Sequence, residues 1–153
     1  MLQNWSGDLT YSENELISFA SQLAQYAQPG WCILLEGELG AGKSTFAKAF
    51  LRGLEIKKSA EGSPTFPIAH VYEAAKIKQV IHADFYRLKS MMELEQTGIE
   101  ESIWSPDVLS LIEWPNQLPE FRESIQLKHP FSVCLEFKIN PDQPETRIIS
   151  LLF

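Results

Sequence analysis

The residues Gly37-Glu38-Leu39-Gly40-Ala41-Gly42-Lys43-Ser44 satisfy the spacing G-x-x-x-x-G-K-[ST]. Each part of that spacing has a chemical use. Glycines let consecutive backbone N–H groups converge on phosphate oxygens, the Lys43 ammonium adds a point charge, and the Ser44 hydroxyl is suited to ligating Mg²⁺. A helix opening at Ser44 adds the positive end of its dipole. A turn that merely joined a strand to a helix would not need a Lys-Ser pair, so the loop reads as a nucleoside triphosphate site. No Asn-Lys-x-Asp guanine-reading motif occurs in the chain, which favours ATP over GTP.

In an open α/β sheet, ligands gather beyond the carboxyl ends of the strands. Two acids fall at such ends: Asp84 within Val80-Ile81-His82-Ala83-Asp84-Phe85, and Glu113 after the run Val108 to Ile112. Either suits a metal or an attacking water, and which of them ligates the metal directly is open at this stage. The plainer uses are an ion pair of Asp84 with Arg87 and a solvated strand-end charge at Glu113. His82, two residues before Asp84 and so on the same strand face, reads as a hydrogen-bonded structural histidine. Ser63 and Thr65 sit in a Pro-containing loop, where a hydroxyl either senses a γ-phosphate or bonds its own backbone. Trp114 is either a cover over a nucleotide or partner surface, or an aromatic plug at a strand end.

These residues need a frame. Ser12-Glu13-Asn14-Glu15 predicts a capping box, opening a helix whose Leu16, Ala20, Leu23, Ala24 and Ala27 keep a 3.6-residue period until Pro29-Gly30. Trp31 to Leu35 is a continuous apolar run, the pattern of a strand buried on both faces of a parallel sheet. Past the glycine loop, Phe46, Ala49, Phe50 and Leu54 predict a helix, with Gly53 placed to stop it. Phe66 to Tyr72 reads as a strand demoted at its start by Pro67. Val80 to Phe85 and Val108 to Ile112 read as strands, and Ser90, Glu93 and Gly98 bracket a short helix over about 91 to 97. Phe131 to Ile139 and Thr146 to Phe153 alternate around Asn140-Pro141-Asp142-Gln143-Pro144, which suggests an antiparallel pair.

With 153 residues the chain holds about one domain, at roughly 150 residues per domain. Its 44% hydrophobic and 22% charged residues, with 8 glycines and 9 prolines dispersed, exclude collagen, coiled coil and disorder. No apolar run reaches the roughly 18 residues of a membrane span, and the first residues lack a signal peptide's pattern, so a cytoplasmic protein is expected. Thirteen Lys and Arg against 20 Asp and Glu leave a net charge of −7, which opposes unaided binding to a nucleic-acid backbone. Cys32 and Cys134 lie in apolar runs without metal-ligand spacing and read as buried thiols.

Four segments together, Gly37 to Thr45, Ser63-Pro64-Thr65-Phe66, His82-Ala83-Asp84-Phe85-Tyr86-Arg87 and Glu113-Trp114-Pro115, resemble the TsaE (YjeE) family in order and spacing. The resemblance implies an α/β fold of P-loop NTPase type: a single three-layer domain with a central, mostly parallel sheet and a C-terminal antiparallel strand pair. It implies an ATPase of the bacterial machinery that makes N6-threonylcarbamoyladenosine at position 37 of tRNA, weak alone and stimulated by its partners. Those partners are a transferase subunit and its paralogue (TsaD and TsaB type), with tRNA reached only through them and no membrane involved. Carried over by residue, it sets Glu38, Leu39, Gly40, Ala41, Gly42, Lys43, Ser44 and Thr45 around the phosphates of ATP, Ser44 and Glu113 at Mg²⁺, Thr65 in a switch-like loop, and Asp84 beside the γ-phosphate and attacking water. Ser44 stands where the family commonly has Thr, and Leu16 where many members have a Thr near the adenine edge. The competing reading is a P-loop kinase acting on a small molecule. Such kinases usually carry arginines in a closing lid, whereas Arg52, Arg87, Arg122 and Arg147 are scattered here.

Overall fold

Aliphatic runs too apolar to face water on either side become the middle of one sheet. In a computed structural model that describes residues 7–56 and 68–153, β1 (Leu9–Ser12), α1 (Glu13–Ala24), β2 (Cys32–Gly37), α2 (Lys43–Gly53), β3 (Ala69–Tyr72) and β4 (Gln79–Asp84) come first. They are followed by α3 (Met91–Thr97), α4 (Glu100–Ile103), β5 (Val108–Glu113), a 3-10 turn (Pro115–Gln117), α5 (Pro119–Lys128), β6 (Ser132–Ile139) and β7 (Thr146–Leu151). The seven strands lie in the order β1-β7-β6-β2-β5-β4-β3. The four central strands β6, β2, β5 and β4 are mutually parallel, and antiparallel strands flank them on both sides.

Both faces of the sheet are covered, which gives three layers. Leu16, Ala20 and Leu23 of α1 and Phe46 and Phe50 of α2 pack on Ile33, Leu35, Leu109 and Leu111. The alternate residues Cys32, Leu34, Val108 and Ile112 face α3, α4 and α5 through Leu94, Ile103, Phe121 and Ile125. Both cysteines are buried free thiols, and burial pushes the Cys32 thiol up to about 12. Glu36 is the exception in its apolar strand. It is buried on the α5 side and ion-paired with Arg122, whose guanidinium it keeps charged.

Most of the predicted elements are present. The Ser12 capping box is formed, with Glu15 Oε2 accepting from the Ser12 amide at 2.9 Å, and α3 covers 91–97 between Ser90 and a left-handed Gly98. The C-terminal pair β6–β7 is antiparallel as expected, and it joins the main sheet through parallel β6–β2 pairing. The predicted strand at Phe66 to Tyr72 is present as Ala69–Tyr72; its first residues lie outside the described residues. Three elements were not read from the sequence: β1, α4 and α5. Helix α5 offers only Phe121 and Ile125 as buried anchors, too few for a visible period.

One helix end differs from expectation, and another meets it for a different reason. Helix α1 stops at Ala24 rather than near Pro29, because the next amides of Gln25, Tyr26 and Ala27 turn tightly onto carbonyls three residues back. Helix α2 does end at Gly53, with Leu54 as its C-cap, but the glycine is not there as a left-handed stop. A Cβ there would meet the Ser21 carbonyl oxygen at 2.7 Å and the Ala24 Cβ at 2.8 Å, so its absence lets α1 and α2 touch. Gln25 Nε2 then donates to the Gly53 carbonyl at 2.7 Å, and the chain reverses at Glu55, in the left-handed region.

Helix propensity alone makes Gly53→Ala stabilising by up to about 1 kcal/mol. Steric overlap at this crossing reverses the sign. We expect a loss of about 1–3 kcal/mol in chemical denaturation, from overpacking between α1 and α2. A gain in stability would contradict the close approach.

Candidate functional site

Parallel pairing brings the carboxyl ends of β2, β5 and β4 side by side, so residues far apart in sequence converge on the loop after β2. Asp84 pairs in register with Glu113, and Glu113 with Leu35, two residues before Gly37. The register puts Asp84, Glu113 and His82 on the sheet face that carries α2, the helix that the loop opens into. Gly42, its N-cap, has φ 108°, and a Cβ there would come within 3.1 Å of Leu16 Cδ2. The left-handed backbone favours glycine here, and the close approach of Leu16 adds to the cost of any side chain.

Lys43 is 4% exposed and opens a helix, where the positive dipole end opposes a cation. Its Nζ donates to the carbonyls of Gly37 (2.7 Å) and Glu38 (2.8 Å) and lies 3.8 Å from the centroid of the Trp114 ring. Burial pulls the ammonium below its ordinary range, while Glu113, Asp84 and Glu38 favour the charged form. Trp114 reaches Lys43 only because its backbone is left-handed, with φ 59° and ψ 44°. A bulky residue rarely adopts that region, and the following Pro115 further narrows its choices. Its amide still extends the sheet by donating to Leu35 O at 3.1 Å, and its ring packs against Tyr86, centroids 4.9 Å apart. The strain sits at the site and nowhere else along β5.

Glu113 is 3% exposed and both of its oxygens are engaged. Oε2 accepts from the Ser44 hydroxyl at 2.8 Å and Oε1 meets His82 Nε2 at 2.8 Å. Burial alone raises this carboxyl, but the hydrogen bonds from His82 and Ser44 and the charges of His82 and Lys43 outweigh it, so the net shift is downward. Asp84 is exposed, and its Oδ1 accepts from the Tyr86 amide at 2.9 Å. A cleft of about 240 Å³ beside the loop is lined by Leu39, Gly40, Gly42, Lys43, Ser44 and Thr45, by Trp114, and from the opposite side by Glu13, Leu16, Glu145 and Arg147.

A cleft of this size, walled by a Gly-x-x-x-x-Gly-Lys-Ser loop and facing a buried acid, admits many nucleotide proteins, and likeness to known chains narrows the choice. The family profile described as "Threonylcarbamoyl adenosine biosynthesis protein TsaE" matches residues 10–148. The chain belongs to the TsaE family. It is 37% identical over 123 residues to the tRNA threonylcarbamoyladenosine biosynthesis protein TsaE of Bacillus subtilis, covering 78% of this chain and 75% of that one. The protein of the same name from Rickettsia prowazekii is 37% identical over 103 residues, 67% of this chain and 69% of its own. The crystal structure of Bacillus subtilis YdiB superposes with a TM-score of 0.65 at 27% identity, over 97% of this chain and 86% of that one.

Within this TsaE-family chain the predicted residues divide clearly. Ser44 and Glu113 meet directly, Lys43 lies within reach of the charge of Glu113, and Asp84 stands one strand away. Glu38 contributes its carbonyl, Ala41 is buried beneath the loop, and Leu39 is 78% exposed at its tip. Thr65 and Ser63 lie outside the described residues. His82 has the structural hydrogen bond expected of it, and its partner is Glu113. No ion pair joins Asp84 to Arg87 among the described residues. Sequence reasoning missed Glu13, Glu145 and Arg147, the far wall of the cleft. Nothing in their local pattern separates them from ordinary surface charges.

The sign of the Glu113 shift sets a pH dependence. A carboxyl depressed in the folded chain adds stability above its unfolded pKa, near the ordinary 4.5, and loses it as pH falls below that value. Glu113→Gln cannot titrate. The stability gap between wild type and Glu113→Gln, measured by urea unfolding, is therefore expected to narrow between pH 7 and about pH 3. A gap that stays constant with pH would show that Glu113 is not held ionised.

Proposed function

We propose that this chain binds and hydrolyses ATP in the synthesis of N6-threonylcarbamoyladenosine on tRNA, acting on a complex of a transferase subunit and its paralogue (TsaD and TsaB type) rather than transferring the group itself. The observation that carries this reading is the Lys43–Ser44–Glu113 constellation in a chain of the TsaE family. The net charge of −7 supports contact with tRNA through those partners rather than directly. The cytoplasm as the place of work belongs to the same proposal; among the described residues no helix is long and apolar enough to cross a membrane.

The residues suit an ATP·Mg²⁺ pair. Mg²⁺ typically takes one or two protein oxygens and completes its shell with phosphates and water. Ser44 Oγ and Glu113 Oε2, already 2.8 Å apart, are such a hydroxyl and carboxylate, and no group of three or more His, Cys, Asp or Glu side chains among the described residues offers a full cage. When bound, Mg²⁺ supplies charge neutralisation at the β- and γ-phosphates. The chain's own groups do the rest. Amides from Gly40 to Thr45 bind phosphate oxygens, and Lys43 exchanges its loop carbonyls for them. His82, on the second oxygen of Glu113, holds that carboxylate in orientation. Asp84, solvent-facing and one strand away, orients the attacking water and accepts its proton. Thr65 is assigned to γ-phosphate sensing.

The test is ATP turnover by the purified chain, alone and with the transferase pair. Stimulation by the pair is expected, and Lys43→Ala abolishes binding or turnover. Asp84→Ala lowers turnover by about 10²–10⁴, the usual worth of a positioned acid or base. Glu113→Ala is expected to recover with raised Mg²⁺ while Asp84→Ala does not. Turnover indifferent to the pair would discard the pathway role, and phosphate appearing on a small acceptor would mark a kinase instead.

A further inference from the structure

Arg147 belongs to no motif in the sequence, yet it lines the same cleft as the glycine loop. Strand β7 is held on both edges, Arg147 pairing with Tyr11 of β1 and Ile139 of β6, so its side chain starts from a fixed position. Nη1 donates to the carbonyls of Pro144 (2.8 Å) and Thr146 (2.9 Å), and Nη2 to the carbonyl of Gly40 at 3.3 Å. Three of the five guanidinium N–H donors are thereby used. The Nε–H and one Nη2–H are left, two donors of a fork that grips phosphate oxygens. No carboxylate pairs with Arg147 among the described residues, although Glu13 and Glu145 line the same cleft. Arg147 and Lys43 are the two cations of that lining.

Strand order separates these two cations. Strand β7 lies on the β6 side of β2, while the acids Asp84 and Glu113 end strands on the β5 side. Lys43, Ser44 and Glu113 therefore mark the γ-phosphate end of the cleft, and Arg147 marks the end where the nucleoside leaves. Gly42 is enclosed between them and the leading helix, since a Cβ there would meet Leu16 Cδ2 at 3.1 Å and Arg147 Cγ at 3.8 Å.

We propose that Arg147 is a nucleotide-binding residue that holds the loop through Gly40 and presents its remaining guanidinium edge to the phosphate nearest the nucleoside. This rests on the ATP reading above. Because that phosphate is common to ADP and ATP, removing the side chain weakens both alike.

The experiment is calorimetric titration of the purified chain with ADP and with ATP at low and high salt, for wild type, Arg147→Ala and Arg147→Lys, with ligand-free thermal midpoints recorded for each. Arg147→Ala is expected to weaken both nucleotides by roughly tenfold or more at low salt, the usual range for a charged hydrogen bond. The loss shrinks at high salt, and Arg147→Lys recovers part of the affinity. Should Arg147→Ala not fold, Arg147→Lys decides alone, being weaker than wild type for both nucleotides by similar factors. Unchanged ADP affinity overturns the proposal. So does a loss that salt does not alter and lysine does not recover, which would make Arg147 a scaffold of the loop. A wild type that binds neither nucleotide sinks the ATP reading itself, whereas failure of the Arg147 assignment leaves wild-type binding intact.

Discussion

A lysine at the N-terminus of a helix, almost out of reach of water, is an unfavourable placement twice over: the helix dipole repels it and burial removes its hydration. Lys43 is held there by what surrounds it. Two loop carbonyls accept its hydrogen bonds, the Trp114 ring offers its negative face, and Glu113 and Asp84 supply opposite charge from neighbouring strands. None of these partners alone offsets the desolvation of an ammonium group. Together they offset part of it, burial still holding the ammonium below its ordinary range, and they converge on one nitrogen through the order of the central strands and the left-handed turn at Trp114.

That convergence depends on how firmly the strand ends are held. On the α2 face, Phe46 packs edge-on against Phe137, their centroids 5.5 Å apart, and the small residue Gly53 lets α1 sit tightly on α2. On the opposite face, Phe85, the neighbour of Asp84, is fully buried edge-on against Phe121 at 5.1 Å. Glu36, the residue before the first loop glycine, points to this face and pairs with Arg122 of α5. A buried ion pair of this kind adds little net stability, but removing one partner leaves an uncompensated charge, so it ties α5 to one position behind the loop. The site thus rests on one helix pair in front and on α5 behind.

Much of this was legible locally. The loop motif, the capping boxes at Ser12 and Ser90 and the apolar runs of β2, β4 and β5 each lie within a few consecutive residues, and local chemistry and periodicity report on such windows. The same logic explains the failures. Helix α5 has too few apolar anchors to show a period, and although Gly53 ends α2 as its position suggests, the reason that it must be glycine, the approach of Ser21 and Ala24, comes from another element.

By itself, then, the sequence determined the G-x-x-x-x-G-K-S spacing, the two acids at strand ends and the alternation of helices and strands that implies a parallel sheet. Only the tertiary structure decided who meets whom. Ser44 and Glu113 are 69 residues apart, Glu36 and Arg122 are 86 apart, and Arg147 and Gly40 are 107 apart. Such pairings follow from β2 lying between β6 and β5, a consequence of covering both faces of the sheet and joining its strands, and no short window of sequence carries that information.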